Sequence, residues 1–452
     1  MADYMESINR AVWGVPTLIL ILGVGILFSI RTGCAQFRLF PHAVKYFLSR
    51  LKPGEYHDGV SPFQALGTAL AATVGTGNLV GVAGAIALGG PGSIFWMWVC
   101  AFFGMITKYA EATLAVHFRQ KEQGETLGGS MYMIRRGLSR RWHPLASVYC
   151  IFGVFASFGV GNATQINSLI TGVRQAVGFF GFSLSPRHVL LLGTVLAFLI
   201  CLLLFGGAKR IGNAAELLIP VVSCAYLVLC GCILFQRRSA LPAALSAIVQ
   251  GAFSPRAVTG GMLGSVFQTL RIGISRGVFT NEAGMGTASI AHAAAEVEHP
   301  AQQGLMGMME VFLDTVVICT MTALVILVSG VDIPYGVDTG AQLTIQAFSA
   351  VCGDWVTVFL AAALCCFAFA TILGWGLYGA RCAQFLFGRG VWKYYVLAQS
   401  GMVVLGAVMD TGAIWSFAEI LNGLMAVPNL LALVGLRLHL YKLTSEYEKK
   451  CG

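Results

Sequence analysis

The segment "AATVGTGNLVGVAGAIALGG" (residues 71–90) lies in a run apolar enough to cross a membrane, yet it is rich in residues that weaken a helix. Its glycines lower helix propensity, and Thr73, Thr76 and Asn78 carry side chains that compete for backbone hydrogen bonds. The whole run covers 61–90. As a single helix it would be about 45 Å long, against a hydrocarbon core of about 30 Å. The cluster Gly75-Thr76-Gly77-Asn78 falls at its middle, so the reading is a helix interrupted there. A second run, "ISRGVFTNEAGMGTASIAHAAA" (274–295), has the same character, with Thr280, Asn281, Glu282, Gly284 and Gly286 at mid-span and Arg276 before them. Irregular backbone at membrane depth survives only when buried in protein or lining a cavity, and an unpaired charge there costs several kcal/mol. Two such breaks predict a polar cavity midway through a bilayer. The stretch 81–90, by contrast, reads as a packing face with small-xxx-small spacing.

Working outward, the 452 residues are 57% hydrophobic and 11% charged. A soluble domain carries about 25% charged residues, so the composition is that of a membrane protein. Apolar windows of about 20 residues place eleven candidate spans near 11–31, 61–90, 92–116, 145–178, 188–207, 212–236, 262–293, 302–330, 341–380, 391–409 and 411–438. The first reads as a retained helix: Asp3 and Glu6 precede it against one Arg10, and no small-residue cleavage site follows. The two breaks fall in the first and sixth of the last ten spans. Five is odd, so the second five run upside down relative to the first, the inverted repeat of many secondary transporters.

Placing the N-terminus outside and the C-terminus inside gathers most of the 29 Lys and Arg in the inner loops. The net charge of +9 is therefore an orientation signal, and no soluble module is present to present it to nucleic acid. Thirteen cysteines are scattered without CxxC or Cys/His grouping and read as small buried hydrophobes. A membrane enzyme would need a nucleophile–base or metal constellation, and a channel a symmetric ring; the spans spell neither. Among the intramembrane charges, Arg276 and Glu282 are expected to pair across the second break. Asp314 is expected to orient the broken helix by accepting its N–H groups, and Glu310 to lie solvated near the inner end. Lys108 and Glu111, three residues apart, read as a helix-surface pair.

The stretches "ATVGTGNLVGVAGAIALGGPGSIFWMW" (72–98), "GVGNATQINS" (159–168), "SRGVFTNEAGMGTASIAHAAA" (275–295), "VFLDTVVICTMTALVIL" (311–327), "FAFATILGW" (367–375) and "NGLMAVPNLLAL" (422–433) resemble the alanine or glycine:cation symporter family. The resemblance runs along nearly the whole chain. It implies an all-α, leucine-transporter-like fold of eleven transmembrane helices, with a 5+5 inverted repeat, two discontinuous helices and one extra N-terminal helix. In that frame 1–60 holds the extra helix and a cytoplasmic amphipathic linker. Residues 61–236 form the first repeat, 237–261 an external linker, 262–440 the second repeat and 441–452 a cytoplasmic tail.

The resemblance also implies sodium-coupled uptake of alanine or glycine by a monomer in a bacterial inner membrane. Proton-coupled transport of serine or glutamine is the alternative. Carried residue by residue, the family pattern puts a substrate carboxylate at the N–H groups of Thr76 and Gly77, where a helix N-terminus favours an anion. Asn281, Gln165 and the carbonyls near Phe279 are candidates for the ammonium. Trp375, one turn after Thr371, would cap a small side-chain pocket with Phe279, and Asn78 would brace the broken backbone. Sodium would lie among the carbonyls of Ala71, Val74 and Ala368 and the Thr371 hydroxyl. Relatives usually show Ser-Thr where this chain has Ala370-Thr371, so one oxygen is missing. They also often carry an acidic residue where this chain has Ala380-Arg381, which puts a cytoplasmic gate at that position in question.

Overall fold

Apolar runs become helices here because a helix satisfies its own backbone where lipid offers no partner. The computed structural model describes residues 7–9, 11–51, 60–122, 124–259, 265–337, 340–409 and 411–451, with backbone alone at 257, 411–418 and 451. The charges at Asp3, Glu6, Arg10 and Lys52 fall outside those residues.

The first long helix is α1 (Val15–Arg31), followed by the amphipathic α2 (Phe40–Arg50). α3 (Pro62–Thr73) follows, capped by the Ser61 hydroxyl on the Gln64 N–H. It is bent by 58° from α4 (Val80–Gly89) across a single 3-10 turn, Thr76–Asn78. α5 (Gly92–His117) leads to an antiparallel hairpin of β1 (Gln120–Glu122) and β2 (Glu125–Leu127), with Lys121 opposite Thr126. α6 (Ser130–Gly137) is short; α7 (His143–Phe158) runs through a π turn, Gly159–Ala163, into α8 (Thr164–Phe179). Then come α9 (Pro186–Phe205), α10 (Gly207–Gln236) and α11 (Leu241–Phe253), so the stretch expected as an external linker is itself partly helical.

α12 (Val266–Asn281) stops at the second break and α13 (Ala288–His292) resumes after it. α14 (Pro300–Val311) passes through a π-helical stretch, Phe312–Cys319, into α15 (Thr320–Val328). α16 (Ala341–Cys352), α17 (Val356–Phe387), α18 (Trp392–Val408), α19 (Thr411–Gly435) and α20 (Arg437–Cys451) complete the chain. Among the described residues seven helices are long and apolar enough to cross a membrane, or up to nine if each bent pair is one span. The expected single span 341–380 is a correction. Gly353, at φ 83, ends α16, and α17 starts afresh at Val356, because the left-handed conformation there stops a helix.

α5 forms the packed centre against α12 and α14, its approach to α12 made close by glycine at 277, where a Cβ would lie 3.1 Å from Cys100 Cβ. α9 and α10 lie at the periphery: Leu191, Phe198, Leu217, Val221 and Val228 are 63–73% exposed, as side chains facing lipid would be.

Candidate functional site

At the first break α3 ends because Val74 (ψ 91) and Gly75 (φ −141, ψ −150) are extended. The Gly75 N–H donates to Asn78 Oδ1 (2.9 Å), so the Ala71 carbonyl loses the partner that a continuing helix would supply. Asn78 Nδ2 donates onward to Asp314 Oδ1 (2.6 Å) and to its backbone carbonyl (3.3 Å). Asn78 therefore braces the break, as its sequence context suggested. Asp314 acts at one remove: its carboxylate takes the Asn78 amide and the Thr315 hydroxyl (2.7 Å), where backbone N–H groups had been expected. The short side chain of Asn78 reaches the backbone first and leaves Asp314 to hold the amide.

The second break is set by three left-handed residues, Glu282 (φ 53), Gly284 (φ 92) and Gly286 (φ 76). Asn281 is engaged at both ends, accepting from the Ala283 N–H (2.9 Å) and donating to Thr315 Oγ1 (3.1 Å). The expected Arg276–Glu282 pair is not formed. α12 stays helical to Asn281, which puts positions six apart about 120° from each other around the axis. Arg276 instead meets Glu419 (3.0 Å), while Glu282 accepts from Trp375 Nε1 (2.8 Å) and the Thr287 hydroxyl (2.5 Å).

The two breaks face each other. A Cβ on Gly77 would lie 3.2 Å from Thr280 Cγ2 and 3.5 Å from Phe279 Cδ1. On the other flank a Cβ on Gly75 would lie 2.5 Å from Thr371 Oγ1 and 3.5 Å from Gln165 Oε1, so only glycine fits. Thr76 Oγ1 donates to Gln165 Oε1 (3.0 Å), and Gln165 Nε2 donates to the Val160 carbonyl (3.0 Å) in the π turn. Thr371 is 2% exposed and its hydroxyl has no partner among the described residues. A buried hydroxyl left unbonded costs about 1–3 kcal/mol. An oxygen with free lone pairs beside the backbone of a helix break suits a hard cation, so these residues fit sodium on chemistry. Trp375 is fully buried, one turn after Thr371, and so is not placed as an anchor at a membrane interface.

Behind the second break lies a layer of charge that sequence reading misplaced. Lys108 and Glu111 are both fully buried, because α5 runs on to His117 and α14 covers them. Lys108 pairs with Glu310 (3.1 Å), whose other oxygen meets His292 Nε2 (2.8 Å), so Glu310 is not solvated. Glu111 Oε1 accepts from the Gly286 N–H (3.0 Å) and from Asn429 Nδ2 (2.6 Å). Asn429 also holds the Gly284 carbonyl (2.8 Å) and accepts from Ser130 (2.7 Å). The available signal for Glu419 was a charge within an apolar span, the same signal that marked Asp314.

Two clefts approach the breaks from opposite sides. One, of about 270 Å³, is lined by Trp13, Leu88, Arg271, Ile272, Arg276 and Glu419, after the first break and before the second. The other, of about 240 Å³, is lined by residues including Thr68, Glu125, Ala291, Ala294, Leu377 and Arg381, before the first break and after the second. Each contains an ion pair: Arg276–Glu419 in the former, and Arg381–Glu125 (3.0 Å) in the latter.

The family model of the sodium:alanine symporter family matches residues 1–451. An uncharacterized transporter of Haemophilus influenzae is 42% identical over 98% of this chain and 95% of its own length. The sodium/alanine symporter AgcS of Methanococcus maripaludis is 40% identical over 95% of this chain and 93% of its own. The probable sodium/glutamine symporter GlnT of Bacillus subtilis is 35% identical over 98% and 90%. Among solved structures, MhsT in complex with L-phenylalanine aligns with a TM-score of 0.58 at 14% identity, covering 84% of this chain and 89% of that one. The nucleobase-cation symporter Mhp1 aligns at 0.55 and 14%, covering 83% and 76%. Both support the fold.

Proposed function

Because the chain belongs to the sodium:alanine symporter family and is thus a multi-pass, cation-coupled amino-acid transporter, we propose that it couples inward sodium movement to uptake of alanine or glycine by alternating access. The observation that carries the reading is the buried, partnerless Thr371 hydroxyl beside the extended backbone at Gly75. Sodium would sit between Thr371 and the carbonyls of Ala71, Val74 and Ala368, with three carbonyls offsetting the oxygen that Ala370 lacks. The substrate carboxylate would meet the N–H groups of Thr76 and Gly77, the first of their turn and so without acceptors inside it. Its ammonium would face Gln165 and the second break, with Phe279 and Trp375 closing a space that excludes large side chains. Asn281, committed at both ends, would reach the substrate only by exchanging the Ala283 N–H for it.

The architecture in this reading is eleven transmembrane helices, with residues 61–236 and 262–440 as inverted repeats, in a bacterial inner membrane. The N-terminus is outside and the C-terminus inside. The cleft at Arg276–Glu419 is then external and the cleft at Arg381–Glu125 cytoplasmic, so an ion pair stands at each entrance. Arg381 supplies the gate position from which an acid is missing, with the acid on the hairpin instead. Glu282 links the second break to α17 through Trp375, and Asp314 links the first break to the π-helical stretch. Purified protein in liposomes tests this with radiolabelled alanine, glycine, serine and glutamine. Accumulation of alanine or glycine only under an inward sodium gradient is expected. Accumulation driven equally by a pH step, or preference for serine or glutamine, would overturn the assignment.

A further inference from the structure

Among the described residues four carboxylates lie inside the bundle at 2% exposure or less: Glu111, Glu282, Glu310 and Asp314. Three have both oxygens engaged. Glu282 is held by Trp375 and Thr287, Glu310 by Lys108 and His292, and Asp314 by Asn78 and Thr315. Glu111 differs. Its Oε1 takes two donors, the Gly286 N–H and Asn429 Nδ2, while its Oε2 has no partner among the described residues.

No cation answers that oxygen among the described residues. Lys108, one turn earlier on α5, is bonded to Glu310 on α14. The other titratable groups around Glu111 are Glu310 on α14, Tyr149 on α7 and Tyr378 on α17. His292 is turned to Glu310 and Gln303. An ionised carboxylate with a bare oxygen at this depth is costly. A metal ion would answer the charge, but among the described residues no group of three or more His, Cys, Asp or Glu side chains is arranged to hold one. A proton needs no such set of ligands.

We propose that Glu111 is a proton-binding group of the transport cycle, taking a proton on Oε2 from water and returning it, and so loosening the α13 side of the second break. The ionised form accepts charge-assisted hydrogen bonds from Gly286 and Asn429, and the neutral acid accepts weaker ones. Those bonds pin backbone that is left-handed at both Gly284 and Gly286. Protonation therefore lowers the cost of moving α13, which borders the cytoplasmic cleft through Ala291. The consequence for transport rests on the alternating-access reading; the local loosening does not.

Hydrogen–deuterium exchange of the full chain in nanodiscs, followed in peptides spanning 282–295 and corrected for the intrinsic pH dependence of exchange, tests the local step. In the wild type, exchange around 284–287 should be about tenfold faster at acidic than at mildly alkaline pH, the difference between a charged and a neutral acceptor. Glu111→Gln should show the fast rate at both. Glu111→Asp should keep the response with a displaced midpoint, which preserves the test if the Gln variant does not fold. Corrected exchange independent of pH in the wild type, a wild-type response in Glu111→Gln, or an undisplaced midpoint in Glu111→Asp would each overturn the proposal. No transport is needed for the readout, so a failure to take up alanine would count against the functional reading alone.

Discussion

Thr371 is where a single atom separates structural from functional accounts. Its neighbours Ala370 and Ile372 are apolar and buried, so a lone hydroxyl among them with no acceptor is a net cost to folding. Thr371→Ala should therefore leave thermal stability unchanged or slightly raised. It should also raise the sodium concentration for half-maximal alanine uptake about tenfold or more, since one bond to a charged ligand is worth about 1.5–3 kcal/mol. Sodium-activation curves in liposomes, read beside melting curves, check both parts. Thr371 was legible in sequence because "FAFATILGW" is otherwise apolar and aromatic. Its loneliness was not, since that depends on what Gly75 and Gln165 do on other helices.

At the scale of elements, each break is held open by a side chain that substitutes for the lost helical partner. Asn78 does so for the first, capturing the Gly75 N–H and anchoring to Asp314, and Glu111 with Asn429 does so for the second. Asn78→Ala removes an acceptor from one buried backbone donor and a donor from one buried carboxylate. The expected cost is about 1–3 kcal/mol for each group left unsatisfied. It should appear as a lowered melting temperature together with weakened alanine binding, measured on the same preparation. Unchanged binding in a destabilised protein would separate the brace from the site. The π turns at 159–163 and 312–319 were not anticipated. Each inserts extra backbone into an otherwise apolar helix beside the breaks, and one leaves the Val160 carbonyl to Gln165.

For the whole molecule, the two clefts and their ion pairs give alternating access a testable form. If Arg381 and Glu125 close the cytoplasmic entrance, reversing one charge opposes the other and reversing both restores attraction. Arg381→Glu and Glu125→Arg alone should each slow sodium-driven uptake severalfold, and the double exchange should recover most of it. Exposure of Glu125, at 53%, limits the pair to about 1 kcal/mol or less at moderate salt. The single-variant effects should therefore shrink as ionic strength rises. Additive losses in the double variant would show that the two residues act separately.

The amino-acid order alone determined the membrane class, the approximate position of most of the long apolar helices and the places where two of them come apart. Those features follow from local facts: apolar length against bilayer thickness, and glycine with hydrogen-bonding side chains at mid-span. The division at Gly353 escaped because a left-handed glycine in an apolar run looks like any other. Partner choice was decided only by the tertiary structure. Arg276 met Glu419 and not Glu282, Lys108 met Glu310, and Glu111 met the backbone of the second break, since a buried charge bonds whatever packing brings within about 3 Å. Helix packing brings together residues hundreds of positions apart, and no spacing along the chain records that.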